Sequence, residues 1–302
     1  MFIRRRLLAF TTATLICALA MTSAHAQGAS TTTMANEQGK EGIAKLSDSS
    51  IQYFSRGKGE AIVLLPGGTL TVGYMDGLAE ALVKGGYRVV AINFRGSGKS
   101  TGPSNGVTLQ TFADDVAGVI KALNLGPVHV AGNDFGNRVA RMFATSHPEL
   151  TRSVILLAAG GKIQPKPDAD HALQVIFNPK STEADILAVM KYLVANPADS
   201  ARVWAIFKRS LDPGAAAIEA AAAKATPLVA WWAPPGQTKY LILQGANDLI
   251  APPENGVELQ KELGARATLV NVPGAAHLLP LEQPDTAAAH IIDFIRQLDR
   301  KP

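Results

Sequence analysis

The sequence predicts an α/β fold with a doubly wound, mostly parallel sheet. Three observations lead to this class: strand-like runs alternate with helix-like segments from residue 51 onwards, several runs are apolar without interruption, and polar candidate residues follow the ends of strands. An uninterrupted apolar run is typical of a strand that helices bury on both faces. Alternation of strands and helices at this spacing indicates parallel strands that are connected through helices.

The first half of the chain follows this alternation closely. Its helices are predicted over residues 74–83, where Gly85 and Gly86 end the pattern, and over residues 112–123, with a further helix after residue 134. Its predicted strands cover residues 51–55, 61–65, 88–94, 128–132 and 153–159.

The alternation stops between residues 160 and 236, where only helical patterns appear. Thr182 and Asp185 have the spacing of a capping box, which predicts a helix start there. We predict that this segment is a helical insertion with helices over residues 182–193, 201–211 and 215–225. The sheet then resumes with strands at residues 240–243 and 267–272 and helices at residues 252–263 and 287–298.

The N-terminal residues have the pattern of a bacterial export signal. Three arginines precede an apolar run over residues 7–20, and Ala24 and Ala26 are small residues at the two positions that a signal peptidase reads. The run is shorter than the roughly 20 apolar residues that a membrane-spanning helix needs. We therefore expect a signal peptide over residues 1–26 that is cleaved after Ala26, a flexible tether over residues 27–50, and a periplasmic or secreted domain over residues 51–302.

Removal of that signal changes the charge and the cysteine content. The formal net charge of +4 includes Arg4, Arg5 and Arg6, so the mature chain carries +1, which does not favour a nucleic-acid partner. Cys17 is the only cysteine, so the mature chain has neither a disulfide nor a thiol nucleophile. No stable membrane anchor is expected after cleavage, and the sequence leaves the oligomeric state open.

A sharp turn connects the central strand to the helix after it. Residues 132–136 read Gly-Asn-Asp-Phe-Gly, the frame of a nucleophile elbow with Asp134 in place of serine. The two glycines allow strand and helix to pass very close together. This motif resembles the elbow of the α/β-hydrolase superfamily, and the resemblance covers nearly all of the chain after residue 49. The aspartate is most similar to the carboxylate nucleophile of epoxide hydrolases and haloalkane dehalogenases.

Two further residues complete a candidate catalytic set. Asp248 and His277 each follow the end of a predicted strand, in the superfamily's order of nucleophile, acid and histidine. The resemblance implies that Asp134 attacks an sp³ carbon to form an aspartyl ester and that His277, oriented by Asp248, activates water against this ester. The backbone N–H groups of Gly68 and Phe135 would form the oxyanion hole. No cofactor or metal is expected.

Some features depart from each named activity. Phe135 replaces the tryptophan or arginine that dehalogenases place after the nucleophile, and the insertion offers only Tyr192 where epoxide hydrolases use two tyrosines. Trp204, Trp231 and Trp232 all lie in the insertion, and together with Tyr192 they are our candidates for contacting a small apolar substrate. Ester hydrolysis is a further possibility. The chain is also similar to a poorly characterised branch of the superfamily, so a small-molecule-binding protein with a degenerate elbow stays open as an alternative.

Two other patterns point away from bound nucleotides and metals. Residues 96–100 read Gly-Ser-Gly-Lys-Ser, but Asn93 stands where a phosphate-binding loop needs its first glycine. The remaining histidines, among them His129, His147 and His290, have no metal-ligand spacing and are expected to be structural.

Overall fold

A computed structural model describes residues 39–300 of the protein. The predicted signal peptide over residues 1–26 and the first part of the predicted tether lie outside these residues, as do residues 301 and 302. None of the helices in the described range is long and apolar enough to cross a membrane.

One eight-stranded sheet forms the centre of the described region. Its spatial order is β1-β2-β4-β3-β5-β6-β7-β8, and every neighbouring pair beyond β4 is parallel. The pairs β1–β2 and β2–β4 are antiparallel. The strands are β1 (Lys40–Lys45), β2 (Ser50–Arg56), β3 (Ala61–Leu65), β4 (Arg88–Ile92), β5 (Val128–Asn133), β6 (Thr151–Leu157), β7 (Lys239–Gly245) and β8 (Ala267–Val272).

Helices cover both faces of this sheet, which confirms the predicted doubly wound α/β class. Apolar residues of α1 (Asp76–Lys84) and α10 (Pro284–Asp299) form one core with alternate residues of the central strands. Apolar residues of α2 (Leu109–Ala122), α3 (Phe135–Ser146) and α8 (Glu254–Leu263) form the core on the opposite face. Because β3 and β5 lie between the two cores, every one of their residues is buried.

The helical insertion lies between β6 and β7, as predicted, and we call it the cap. It contains α4 (Pro167–Ile176), α5 (Glu183–Val189), α6 (Ser200–Phe207) and α7 (Ala216–Ala225). The predicted capping box is present, since the Thr182 hydroxyl accepts a hydrogen bond from Asp185 N and the Asp185 carboxylate accepts one from Thr182 N. A short helix, α9 (Leu279–Glu282), directly follows the histidine loop.

Two elements correct the sequence analysis. The predicted tether over residues 27–50 ended too late, because Lys40–Lys45 form β1 and pair along their whole length with β2. An edge strand of this composition has no apolar alternation to reveal it, and its pairing partner supplies the order. The first cap helix, α4, is absent from the predicted cap helices; its Pro167 occupies the first helical turn, where proline is well tolerated.

Candidate active site

The predicted elbow is a tight, strained turn. Asp134 lies between β5 and α3 with φ 46° and ψ −110°, a backbone conformation that residues other than glycine seldom adopt. A Cβ on Gly132 would lie 2.2 Å from the Gly136 carbonyl oxygen, and a Cβ on Gly136 would lie 2.4 Å from the Leu65 carbonyl oxygen. Both glycines are therefore required by the close passage of β3, β5 and α3, as the motif predicted.

The Asp134 carboxylate contacts the loop that follows β3. Asp134 Oδ2 accepts a hydrogen bond from Gly68 N at 3.1 Å, so the predicted oxyanion donor binds an oxygen of the elbow carboxylate itself. The Tyr74 hydroxyl fixes this loop, because it accepts a hydrogen bond from Gly67 N at 2.9 Å and donates one to Asn133 Oδ1 at 2.6 Å. The Tyr74 hydroxyl thus connects the loop to the end of β5 and fixes the distance between them beside Asp134.

Phe135 has two separate functions at this position. Its backbone N–H belongs to the first turn of α3, where no carbonyl of the same helix is available as acceptor. Its side chain is buried and packs edge-to-face against Phe94 and Phe112, with ring centroids 5.6 Å and 5.3 Å away. The aromatic ring therefore belongs mainly to the core of the sheet–helix layer.

Asp248 and His277 form the predicted pair of acid and histidine. His277 Nδ1 lies 3.1 Å from Asp248 Oδ2, and both residues are buried. The other carboxylate oxygen, Asp248 Oδ1, accepts hydrogen bonds from Ile250 N at 2.9 Å and Ala251 N at 2.8 Å. Because these backbone donors fix the carboxylate, Asp248 sets the orientation of the imidazole and leaves its Nε2 for contact with a ligand.

The charge state of His277 differs from that of an isolated imidazole. Burial alone would lower its pKa, but the Asp248 carboxylate outweighs this effect through its charge and its hydrogen bond. The carboxylates of Asp134 and Glu282 contribute in the same direction, and together they raise the pKa of His277 to about 9. At neutral pH the free site therefore contains an imidazolium beside the elbow carboxylate.

Glu282 positions the loop that carries His277. Its Oε2 accepts a hydrogen bond from Ala276 N at 2.9 Å, and its Oε1 accepts one from Ala195 N at 2.6 Å. Ala276 precedes the histidine and Ala195 belongs to the cap, so one carboxylate connects the histidine loop to the insertion.

A cavity of about 350 Å³ lies over the elbow, between the sheet and the cap, and Asp134, Phe135, Gly68 and His277 line it. Arg138 of α3 also faces it. Most of the remaining wall is apolar and includes Leu173, Phe177, Leu193, Phe207, Ile250 and Leu278. The structure thus brings together the predicted nucleophile, histidine and oxyanion donors at one small, largely apolar site.

Glu219 also lines this cavity, although no motif in the sequence predicts a role for it. It lies on α7 with only 4% of its surface exposed, and its Oε2 accepts a hydrogen bond from Thr69 N at 2.7 Å. The available signal was weak: Glu219 is the single acidic residue in the alanine-rich stretch 214–225. A helix with so little bulk can approach the sheet closely, which brings this carboxyl group to the elbow.

The four aromatic residues that we predicted as substrate contacts do not line the cavity. Trp231 and Trp232 instead stack on the buried guanidinium of Arg141, at 4.5 Å and 5.0 Å from the ring centroids. Arg141 has no carboxylate among its hydrogen-bond partners in residues 39–300, so the two indoles supply part of its stabilisation. Trp204 packs against Phe207, and Tyr192 lies partly buried against the core, beside Lys191.

No group of three or more potential metal ligands occurs among the residues from 39 to 300. His129 is fully buried in β5 and hydrogen-bonds Ser153 Oγ through Nδ1 at 2.7 Å, the structural arrangement that we expected for it.

Comparison with known proteins identifies the family. The family model described as "alpha/beta hydrolase fold" matches residues 60–188. A 2-(acetamidomethylene)succinate hydrolase of Mesorhizobium japonicum is 30% identical over 69% of this chain and 78% of its own length. A 2-hydroxy-6-oxo-6-phenylhexa-2,4-dienoate hydrolase of Comamonas testosteroni is 28% identical over 83% of this chain and 93% of its own length.

The fold has clear counterparts among solved structures. An esterase from Exiguobacterium antarcticum superposes with a TM-score of 0.70 at 20% identity, covering 85% of this chain and 99% of the esterase. These similarities do not point to epoxide hydrolases or dehalogenases specifically, so that part of the predicted kinship is not established. The fold, the elbow, the order of the site residues and these relatives together establish that the chain belongs to the α/β-hydrolase superfamily and is an α/β-fold hydrolase.

Proposed function

We propose that the protein hydrolyses a small, largely apolar substrate through a covalent ester on Asp134. The observation that carries this proposal is the environment of the elbow carboxylate, whose Oδ2 accepts the hydrogen bond of Gly68 N in the cavity that His277 also lines. A carboxylate is already ionised at neutral pH and can displace a leaving group at an sp³ carbon without losing a proton first. We assign Oδ1 as the attacking oxygen.

In the first step, Asp134 Oδ1 bonds to the substrate carbon while the bond from that carbon to the leaving group breaks. The product is an ester whose carbonyl oxygen is Oδ2. This oxygen is already within hydrogen-bonding distance of Gly68 N, and it becomes the oxyanion when water attacks Cγ. The Gly68 and Phe135 N–H groups would then stabilise the charge of the tetrahedral intermediate, and its collapse releases the alcohol.

Ester formation also switches the role of His277. While Asp134 is ionised, the imidazole is held as imidazolium, because nearby carboxylates raise its pKa to about 9. Esterification removes one of those negative charges, so the imidazole loses its proton more readily and can act as a base toward water. Nucleophile and base are therefore activated in the order in which the reaction needs them.

Isotope labelling tests the covalent step directly. After a single turnover in ¹⁸O-water, we expect one labelled oxygen in the Asp134 carboxylate, detected by mass spectrometry of the elbow peptide. Asp134→Asn should abolish turnover and labelling, while Asp114→Asn, which replaces an exposed carboxylate on α2, should preserve both. Label found only in the product would refute the aspartyl ester.

A second candidate, direct hydrolysis of an ester or of an oxo-dienoate, is favoured by the names of the relatives. In that case His277 would activate water against the substrate and Asp134 would not become covalently modified. The labelling experiment separates the two mechanisms, because only the aspartyl ester transfers solvent oxygen to Asp134. p-Nitrophenyl acetate is the substrate with which we would test direct ester hydrolysis.

We also propose that the protein is exported with cleavage after Ala26. The support is the arginine-rich start, the apolar run and the small residues before the expected cleavage position. The intact mass of protein recovered from the periplasmic fraction should correspond to a chain that begins at Gln27. A mass that includes residues 1–26 would contradict export by this route.

A further inference from the structure

Glu219 is a buried acid that faces the cavity over the elbow. It lines the cavity together with Asp134 and His277. Its Oε2 and Asp134 Oδ2 both lie within 4 Å of the point that a Cβ on Gly68 would occupy, so the two carboxyl groups approach the same loop from opposite elements. One of them comes from the elbow and the other from the cap.

The hydrogen bonds of Glu219 leave one of its oxygens available. Oε2 accepts the hydrogen bond of Thr69 N, whereas Oε1 is buried and has no hydrogen-bond partner in the part of the chain that the structure describes. A buried oxygen atom without a partner is unfavourable, and a ligand atom that bonds to it would remove this cost. A protonated Oε1 would be a donor, and the ligand would have to offer an acceptor.

The charges around Glu219 favour that protonated state. Burial, reinforced by the carboxylates of Asp134 and Asp212, raises the pKa of Glu219 to about 7, although the hydrogen bond from Thr69 N opposes this effect. The other titratable or charged groups that face the same space are Tyr74 beneath the loop, Arg138 on α3 and His277. At neutral pH a substantial fraction of Glu219 therefore carries a proton.

We propose that Glu219 is the acid that protonates the leaving oxygen in the first step, and that the substrate class is therefore an epoxide. This inference rests on the proposed function. Asp134 Oδ1 bonds to a ring carbon, the carbon–oxygen bond of the ring breaks, and its electron pair remains on the oxygen. That oxygen takes the proton of Glu219. The step therefore converts the Asp134 carboxylate and the epoxide into a hydroxyalkyl ester, and the Glu219 carboxylic acid into a carboxylate.

The same geometry favours an oxygen over a halide as the leaving group. A halide ion needs no proton, so the acid that Glu219 supplies would give it no advantage. Phe135 buries its ring in the core and offers no side-chain donor there. An alkoxide, by contrast, is a strong base and benefits most from a nearby acid with a pKa near neutrality.

Trapping of the ester isolates this step. We would use His277→Gln, which cannot activate water, and follow the mass increase of the intact protein with styrene oxide or 1-bromobutane between pH 6 and 8. With styrene oxide, we expect the adduct on Asp134 and a rate that decreases as pH rises through about 7. Glu219→Gln in the same background should slow the reaction by about 100-fold or more and remove this pH dependence.

A matched control replaces a carboxylate outside the cavity. Glu262 binds Trp232 Nε1 at 3.0 Å, and Glu262→Gln should leave the adduct rate unchanged. Equal rates with and without Glu219→Gln, or a rate in His277→Gln that does not vary between pH 6 and 8, would overturn the role of Glu219. The latter measurement does not depend on the folding of a Glu219 variant.

The two probes separate failure of this inference from failure of the proposed function. An adduct on Asp134 with 1-bromobutane but not with styrene oxide would overturn the epoxide assignment and leave Asp134 as the nucleophile. No adduct with either probe, together with unlabelled Asp134 after turnover in ¹⁸O-water, would overturn the proposed function and this inference with it.

Discussion

At the scale of single residues, the aspartate at the elbow changes the electrostatics of the whole site. A serine there would be neutral in the free enzyme, whereas Asp134 contributes a negative charge beside His277 and Glu219. One of these neighbours is a base and the other an acid, and the charge raises the pKa of both. In the free site the charge of Asp134 favours the charged imidazole of His277 and the neutral carboxyl group of Glu219. In the proposed mechanism, ester formation on Asp134 would remove this charge before His277 acts as a base.

The first residue-scale prediction concerns the titration of His277. In Asp134→Asn the pKa of His277 should fall below about 9, because a carboxylate that favours the imidazolium is lost. Nuclear magnetic resonance titration of histidine-labelled protein measures this change. His129, which pairs with Ser153 in the body of β5, serves as internal control and should titrate identically in both proteins. An unchanged pKa of His277 would mean that Asp134 and the imidazole do not interact.

At the scale of elements, the elbow depends on backbone contact between β3 and α3. In Gly136→Ala the new Cβ would lie 2.4 Å from the Leu65 carbonyl oxygen and 2.6 Å from that of Pro66, and neither backbone atom can move independently. We expect a loss of roughly 3 kcal/mol or more in the free energy of unfolding, measured in urea. Gly73→Ala, whose Cβ would come no closer than 3.5 Å to a neighbour, should change stability by less than about 1 kcal/mol.

Arg141 connects α3 to the end of β6 and the end of the cap. Its guanidinium donates to the carbonyl oxygens of Gly160 at 2.7 Å and Trp232 at 3.4 Å, while its Nε donates to Asn137 O at 3.2 Å. Burial lowers its pKa well below the ordinary value for arginine. The group is thus held by carbonyl dipoles and indole faces, an arrangement that the flat guanidinium suits better than an ammonium group.

Arg141→Met should consequently lower the free energy of unfolding by about 2–4 kcal/mol, because it removes the donors to the carbonyl oxygens of Gly160 and Trp232. Thermal and urea denaturation measure the loss. Arg138→Met is the matched control: it lies three residues earlier on α3, half-buried at the cavity, and its removal should affect stability by less than about 1 kcal/mol. Equal losses in both variants would contradict the role of Arg141 as the specific donor to these backbone carbonyl oxygens.

At the scale of the whole molecule, local sequence patterns were sufficient wherever one segment determines its own structure. The apolar run Ala61–Leu65 is buried on both faces, and the glycines around Asp134 form the turn that their spacing requires. The order of Asp134, Asp248 and His277 along the chain identified a true spatial cluster, because parallel strands place their C-terminal ends along one edge.

Features that depend on distant partners could not be predicted in the same way. Glu219 reaches the elbow only because α7 packs across residues 67–69, some 150 positions earlier in the chain. The sequence predicts Trp231 and Trp232 as ligand contacts, whereas in the structure both indoles stack on the buried guanidinium of Arg141. In each case a polar group from one element is matched by a group from another, and a single sequence without coordinates does not reveal which pairs will meet.

Glu219 is a buried link between the cap and the loop after β3, and its titration makes stability depend on pH. The pKa of this carboxyl group rises from 4.5 to about 7 on folding, so the folded state holds the proton more tightly than the unfolded state. The contribution of the protonated Glu219 to the free energy of unfolding is complete below pH 4.5. It is lost as pH rises through 7, because an ionised carboxylate must then remain buried beside Asp134.

The Glu219→Gln side chain is neutral at every pH. The free energy of unfolding of this variant, relative to that of the wild type, should therefore increase by up to about 3 kcal/mol between pH 4.5 and pH 8. Urea denaturation of both proteins across this range measures the difference, with Glu262→Gln as the control that shows no such gain. If the difference in the free energy of unfolding between wild type and Glu219→Gln did not change with pH, Glu219 would be ionised in the folded protein across this range. The acid assigned to the first step would then be absent at neutral pH.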